Sequence, residues 1–218
     1  MDPIFSPRPL PLLPVIGRDG GYPVARIFCV GRNYAAHAAE MGNEVDREEP
    51  FWFTKSCFAM IPSGSALPYP PGTRDLHHEV ELVVALGEDG EPIALGCGLD
   101  MTRRDLQARA KEGRKPWDTS KDFEGSAVIG ALTPGADTSG RTIRLLVNGA
   151  VRQEAPLSDM VRDLPDLLDH LRGLYRLGSG DLIMTGTPAG VAAVGPGDEL
   201  VGEIDGLAPV HLSIGDPA

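Results

Sequence analysis

The sequence predicts a strand-rich α+β fold, a mixed β-sheet curled into a roll or sandwich with a few short helices. Glycine (27) and proline (20) are abundant in a chain of 218 residues that is 42% hydrophobic, a balance that favours turns and short strands over a helical bundle. The apolar runs are short and bounded by Gly, Pro and Asp-Gly turns, without the regular βαβ alternation of a doubly wound sheet. The length fits one domain with a sizeable core, expected over residues 26–218 and preceded by an extended arm over 1–25.

The arm is rich in proline and glycine, so its order must come from docking on the body or on a second subunit, and regular structure is expected to begin at Arg26. Residues 26–30 read as a buried strand ended by Gly31, and Asn33 has the chemistry of an N-cap for a short helix over 34–41. The charged stretch 43–49 has loop composition and suits a lid; residues 51–54 then form a strand leading to Lys55. Residues 77–86 read as one strand, whose period of two places Glu79, Glu81, Val83 and Ala85 on one face.

A further strand over 93–99 ends at Asp100, and Thr102 with Asp105 resembles a capping box opening a helix through about Lys111. Residues 126–132 and 142–147 are strand-like, and Asn148-Gly149 marks a two-residue hairpin turn before 150–155. A helix is expected over 164–176, then short strands over 181–185, 199–204 and 209–214.

A formal net charge of −11 argues against nucleic acid or an anionic membrane as the main partner, since phosphate recognition needs a basic face. An acidic protein acting on an anionic substrate needs a local positive centre, either a bound cation or a few Lys and Arg in the site. The odd, widely spaced cysteines Cys29, Cys57 and Cys97 read as reduced thiols of a cytoplasmic protein. Neither a membrane span nor a signal peptide is expected, because the apolar runs are too short and the start is broken by prolines.

Glu79, Glu81 and Asp100 form the most informative group: two carboxylates on one strand face and one at a strand end, an all-oxygen set that suits Mg²⁺ or Mn²⁺, with Ca²⁺ also admissible. A bare E-x-E is usually a solvent-facing edge, but here the flanking residues are apolar on both sides, where an unpaired charge would be expensive. His37 and Glu40 share a helix face at a spacing of three, suiting a general base or an ordinary surface pair. Lys121 has the chemistry to polarise a carbonyl or hold a carboxylate, or is a plain solvated lysine. Arg104 and Gln107 are placed either to bind a keto acid's carboxylate or to lie exposed on their helix. Gly186 and Thr187 lie in a tight loop after an apolar strand, offering N–H groups and hydroxyls to an anion. His77 and His78, being adjacent on a strand, point to opposite faces, so at most one would face an ion; His170 and His211 read as structural.

Taken in order, Val30-Gly-Arg-Asn-Tyr34 running into His37 and Glu40, His78-Glu-Val-Glu81, Leu99-Asp-Met-Thr-Arg-Arg-Asp105, Lys121 and Thr185-Gly-Thr-Pro188 resemble the fumarylacetoacetate hydrolase family over residues 26–214. The short length and Asp75-Leu-His-His-Glu79 look most like its fumarylpyruvate and acylpyruvate hydrolase branch. The resemblance implies the β-roll of that family's C-terminal domain, a homodimer and a lid carrying the His-Glu helix. It implies Glu79, Glu81 and Asp100 as metal ligands, His37 with Glu40 as the water-activating dyad, Lys121 as an electrophile or oxyanion stabiliser, and Arg104, Gln107, Thr187 and Gly186 as substrate contacts. The implied activity is metal-dependent hydrolysis of a C–C bond in an acylpyruvate, fumarylpyruvate above all, within aromatic (gentisate) catabolism. Oxaloacetate decarboxylation and keto–enol isomerisation would use the same chemistry, and a non-catalytic binding protein ranks last. Ser56-Cys57 and Ala127-Val128 depart from the family pattern, which is expected to reshape the substrate end.

Overall fold

A computed structural model describes residues 3–40, 42 and 49–217. Its centre is the strand Val80–Leu86, in which every residue is buried because both faces of the sheet are covered. The even positions Val80, Leu82, Val84 and Leu86 join the larger apolar cluster with Ile143, Leu145, Leu200, Val210 and Leu212, while Val83 and Ala85 join a second cluster with Leu13, Tyr22 and Val24. Burying such a side chain contributes about 1.5–3 kcal/mol, so this alternation fixes the strand's register.

The principal sheet runs in the order Phe51–Lys55, Arg26–Gly31, Asp181–Met184, Val80–Leu86, Pro92–Asp100, Ala127–Ile129, Met60–Pro62, with Thr133–Pro134 also paired to Pro92–Asp100. It is mixed: Asp181–Met184 runs parallel to Arg26–Gly31 and Ala127–Ile129 parallel to Met60–Pro62, while the other neighbours are antiparallel. A five-stranded sheet, Ala150–Pro156, Thr142–Val147, Glu199–Ile204, Val210–Pro217 and Ser65–Tyr69, packs against it. The two sheets meet closely at Gly202, where an added Cβ would lie 2.7 Å from Val210 Cγ1 and 3.1 Å from both Cys97 Sγ and Val80 Cγ2. The strand-rich expectation therefore holds, and the Asn148-Gly149 turn forms with φ of 52° and 77°, as a type I′ hairpin requires.

Four local expectations need correction. Regular structure begins before Arg26: Leu12–Pro14 pairs with Gly21–Pro23, and this ribbon docks through buried Leu13 and Tyr22 and the Leu132 N–H to Pro14 carbonyl bond of 2.8 Å. Residues 77–86 are not one strand, for Leu76–His77 belongs to a small sheet with Thr102–Arg103 and Ala193–Val194, and the chain leaves the ladder at His78 and Glu79. The buried Gln153 carboxamide fills that gap, its Oε1 accepting from Val80 N at 3.2 Å and meeting His78 Nδ1 at 3.0 Å. Asn33 does not cap the helix Ala35–Glu40; its Nδ2 donates to the carbonyls of Arg162 and Thr185 and its Oδ1 accepts from Arg162 N, tying three segments together. Thr102 and Asp105 form no capping box, because Asp105 lies inside the helix Arg104–Glu112 and accepts from Thr73 Oγ1 instead. The lid predicted over 43–49 falls outside the described residues except at Glu49.

Candidate metal and active site

Antiparallel pairing of Val80–Leu86 with Pro92–Asp100 sets Glu81 opposite Gly98 and brings Asp100 N to within 2.8 Å of the Glu79 carbonyl. One carboxylate oxygen from each of Glu79, Glu81 and Asp100 lies within 4.8 Å of the others, and the three residues are buried, with Asp100 wholly so. The break in the strand at Glu79 does not separate the two glutamates, so the convergence read from an E-x-E spacing is realised by a different backbone path.

Three cations surround these three carboxylates. Lys121 Nζ is 2.7 Å from Glu79 Oε2, 2.7 Å from Asp100 Oδ2 and 2.7 Å from Thr102 Oγ1, which engages all three of its N–H donors. The Arg104 guanidinium holds Glu79 Oε1 and also donates to Gln107 Oε1 at 2.6 Å. Lys55, buried at the end of Phe51–Lys55, places Nζ 2.9 Å from Asp100 Oδ1 and also donates to the Lys121 carbonyl. Burial opposes ionisation of Glu79, yet Lys121 and Arg104 outweigh it and hold the carboxyl far below the usual range. Burial also works against the Lys121 charge, but Asp100 and Glu79 keep its pKa raised.

Glu81 is the exception. Its Oε2 accepts a hydrogen bond from Gly186 N at 2.8 Å, but burial and then the charges of Asp100 and Glu79 push its pKa well up. Asp100 Oδ1, although close to Lys55 Nζ, is buried and receives no well-directed hydrogen bond. A carboxylate without a cationic partner and a buried oxygen without a directed hydrogen bond, within an all-oxygen set, are what a hard divalent cation would satisfy, so these residues fit Mg²⁺ or Mn²⁺.

These carboxylates line a pocket together with His37, Arg104, Gln107, Lys121 and Thr187. His37 lies on Ala35–Glu40, its Nδ1 3.4 Å from Glu40 Oε2, while the Glu40 carboxylate accepts from Gly190 N at 3.1–3.2 Å. Burial lowers the His37 pKa, against the pull of Glu79 and Glu40, so the imidazole is neutral at pH 7. Thr187 is positioned from behind by Gln153 Nε2 at 2.8 Å. Of the predicted residues, Glu40 and Gly186 do not line the pocket themselves but contact residues that do, His37 and Glu81 respectively.

Sequence reasoning missed Lys55, Gln153, and the pocket residues Arg32, Phe53, Lys111 and Trp117. A lysine ending an aromatic run is a usable signal for Lys55, since a buried ammonium demands a carboxylate; the others lack a local signal. Neither histidine at 77–78 joins the carboxylates: His77 Nε2 pairs with Asp75 Oδ1 at 2.9 Å and His78 with Gln153. The departures at Ser56-Cys57 and Ala127-Val128 do not line the pocket; Ser56 N bonds Asp122 Oδ1, and Val128 packs in the core.

The family model for the fumarylacetoacetate hydrolase C-terminal domain matches residues 26–214. A fumarylpyruvate hydrolase from a Ralstonia species is 39% identical over 80% of this chain and 98% of its own length. An oxaloacetate tautomerase of Escherichia coli (strain K12) is 37% identical over 85% of this chain and 90% of its own. The crystal structure of fumarylpyruvate hydrolase from Pseudomonas aeruginosa, in complex with Mn²⁺ and pyruvate, superposes with a TM-score of 0.93 at 39% identity, covering 99% of this chain and 100% of that one. The chain belongs to the fumarylacetoacetate hydrolase family.

Proposed function

We propose that this protein is a metal-dependent hydrolase that cleaves the C–C bond of an acylpyruvate, with fumarylpyruvate as the substrate that best suits the site and fumarate and pyruvate as products. The observation that carries the reading is the meeting, in one pocket, of a buried carboxylate trio, a neutral histidine backed by a glutamate, and the Arg104–Gln107 pair. Glu79, Glu81 and Asp100 would hold the divalent ion, which when bound would stabilise negative charge developing on the keto acid's oxygens.

The chain's own groups divide the remaining work. Arg104 and Gln107 hold the 2-keto acid's carboxylate, with Thr187 and the Gly186 loop beside it. His37, turned by Glu40, takes a proton from a water whose oxygen attacks the distal carbonyl carbon. The field of the Lys121 ammonium would stabilise the resulting oxyanion, and release of its Thr102 bond would free an N–H for that oxygen. Collapse breaks the C–C bond; its electron pair leaves with the pyruvate enolate, which takes a proton back from His37 to give pyruvate.

Incubating the protein with fumarylpyruvate and Mn²⁺, and quantifying products by NMR, tests this reading. Pyruvate and fumarate in equal amounts support it, whereas an unconsumed diketone contradicts it. Oxaloacetate tautomerisation is the second reading, favoured by the E. coli relative, since promoting enolisation does not dictate that a bond breaks. Rapid keto–enol interconversion of oxaloacetate without acylpyruvate cleavage would select it. A homodimer, a cytoplasmic location and a place in aromatic catabolism complete the proposal. The three free, buried cysteines support the location, and among the described residues no helix is long and apolar enough to cross a membrane.

A further inference from the structure

Four side chains bring positive charge into the pocket: Arg32, Arg104, Lys111 and Lys121. Two of them are matched, Arg104 by Glu79 and Gln107, and Lys121 by Glu79, Asp100 and Thr102. Arg32 and Lys111 have no carboxylate within ion-pair distance among the described residues, in a protein whose net charge is −11. Arg32 occupies the turn that follows Arg26–Gly31, with φ of 63°, a left-handed conformation that is uncommon outside glycine. Its Nε is buried without a hydrogen-bond partner. Lys111 comes from the last turn of Arg104–Glu112 and sets its Nζ 5.1 Å from the centroid of the Trp117 ring.

A strained arginine with a buried, unpartnered donor and an unpaired lysine in the same pocket are what an anion-binding subsite needs before its ligand arrives. The aromatic residues give that ligand a shape. Phe53 and Trp117 line the same pocket with ring centroids 6.2 Å apart and planes inclined at 52°, an apolar wall for a flat, conjugated chain. Burial, followed by the neighbouring charges of Arg104 and Arg32, lowers the Lys111 pKa to about 8, against the pull of Glu79, the direction expected of a half-buried cation beside other cations.

The geometry points to Arg32 and Lys111 as a second carboxylate subsite, one that receives the acid group at the far, acyl end of the substrate, with Phe53 and Trp117 flanking the chain between the two ends. The site thereby selects dicarboxylic acylpyruvates over those with a neutral acyl tail. This inference rests on the proposed acylpyruvate activity and specifies its substrate class; the groups that hold the keto acid end are Arg104 and Gln107, so the two pairs have separate tasks.

The test compares fumarylpyruvate, which carries the second carboxylate, with acetylpyruvate, which does not, for the wild type, Lys111→Met, Lys111→Arg and Arg32→Asn. Methionine keeps the lysine's apolar stem, and asparagine tolerates the left-handed backbone better than other residues that remove the charge. The expected result is a fall of about 10- to 100-fold in kcat/KM for fumarylpyruvate in Lys111→Met and Arg32→Asn, carried mainly by KM and at least tenfold larger than any fall for acetylpyruvate. Lys111→Arg should restore most of the preference. Equal losses on both substrates, or a wild type that prefers acetylpyruvate, would overturn the subsite. Should the wild type cleave neither compound, the hydrolase reading fails by itself. Equilibrium titration of the Mn²⁺-loaded protein with the two acylpyruvates then decides the subsite: tighter binding of the dicarboxylate, lost in the variants, upholds it, and equal binding refutes it.

Discussion

The carboxylate trio and the His37–Glu40 dyad face the same pocket but are built in opposite ways. Glu79 and Asp100 are held by three cations, all three carboxylates are buried, and Glu81 and Asp100 sit on neighbouring strands of the central sheet, so the geometry is locked by the packing that stabilises the fold. The dyad rides on a helix of six residues, too short to persist without tertiary support, and its two partners stand 3.4 Å apart with the Glu40 side chain 37% exposed. The contrast teaches that the fixed electrostatics belong to the core, while the proposed proton-transfer group rides on an element that packing holds less tightly.

The sharpest way to break this comparison is to remove Asp100, the carboxylate shared by both lysines. Asp100→Ala leaves Lys55 with an uncompensated buried charge and Lys121 with Glu79 alone, and should lower unfolding stability by about 3–5 kcal/mol, visible in a urea titration, and abolish Mn²⁺ binding by calorimetry. His37→Ala attacks the other side of the contrast. It should lower kcat by about 10²–10⁴ while leaving the urea midpoint near that of the wild type, because its ring bears no share of the core's charge balance.

A smaller effect is expected for Lys55→Met, which removes one of two ammonium partners of Asp100 and two carbonyl contacts. Stability should fall by about 1.5–3 kcal/mol, and Mn²⁺ affinity should change by about tenfold or more, since Lys55 orients an oxygen meant for the ion. An unchanged urea midpoint would show that the lysine is a spectator.

The subtlest prediction concerns pH. In the proposed mechanism the base form of His37 is the active one, so kcat/KM should fall as pH drops through its pKa. Because burial lowers that pKa, the acid limb should lie below the ordinary histidine value of about 6.5. Glu40 raises the His37 pKa by hydrogen bond and charge, so Glu40→Gln should move the limb to still lower pH. A limb that moves upward would contradict the assigned contact.

Much of this was legible in the residues, for a physical reason. Glu79 and Glu81 are charges placed in an apolar run, and such charges must find partners, so their convergence with Asp100 at a strand end is readable before any fold is known. Lys121 sits in a polar stretch, and its place beside them comes from the family resemblance. The helix position of His37 and Glu40 follows from their spacing. What local reading misjudged are groups whose partners come from far along the chain. Asn33 has the profile of an N-cap but serves Arg162 and Thr185, some 130–150 residues away. Gln153, on an otherwise exposed hairpin strand, replaces the ladder at His78–Val80, 73–75 residues earlier. Arg32 and Lys111 share a pocket only because a turn and a helix end are brought together by the sheet.

The claim that the trio and the dyad are separable parts is tested most directly by Mn²⁺ affinity, measured by calorimetry in Glu81→Gln and His37→Ala beside pyruvate release from fumarylpyruvate. The account predicts that Glu81→Gln loses both metal affinity and turnover, whereas His37→Ala binds Mn²⁺ as the wild type does and loses turnover alone. Loss of Mn²⁺ binding in His37→Ala, or unchanged affinity in Glu81→Gln, would contradict it.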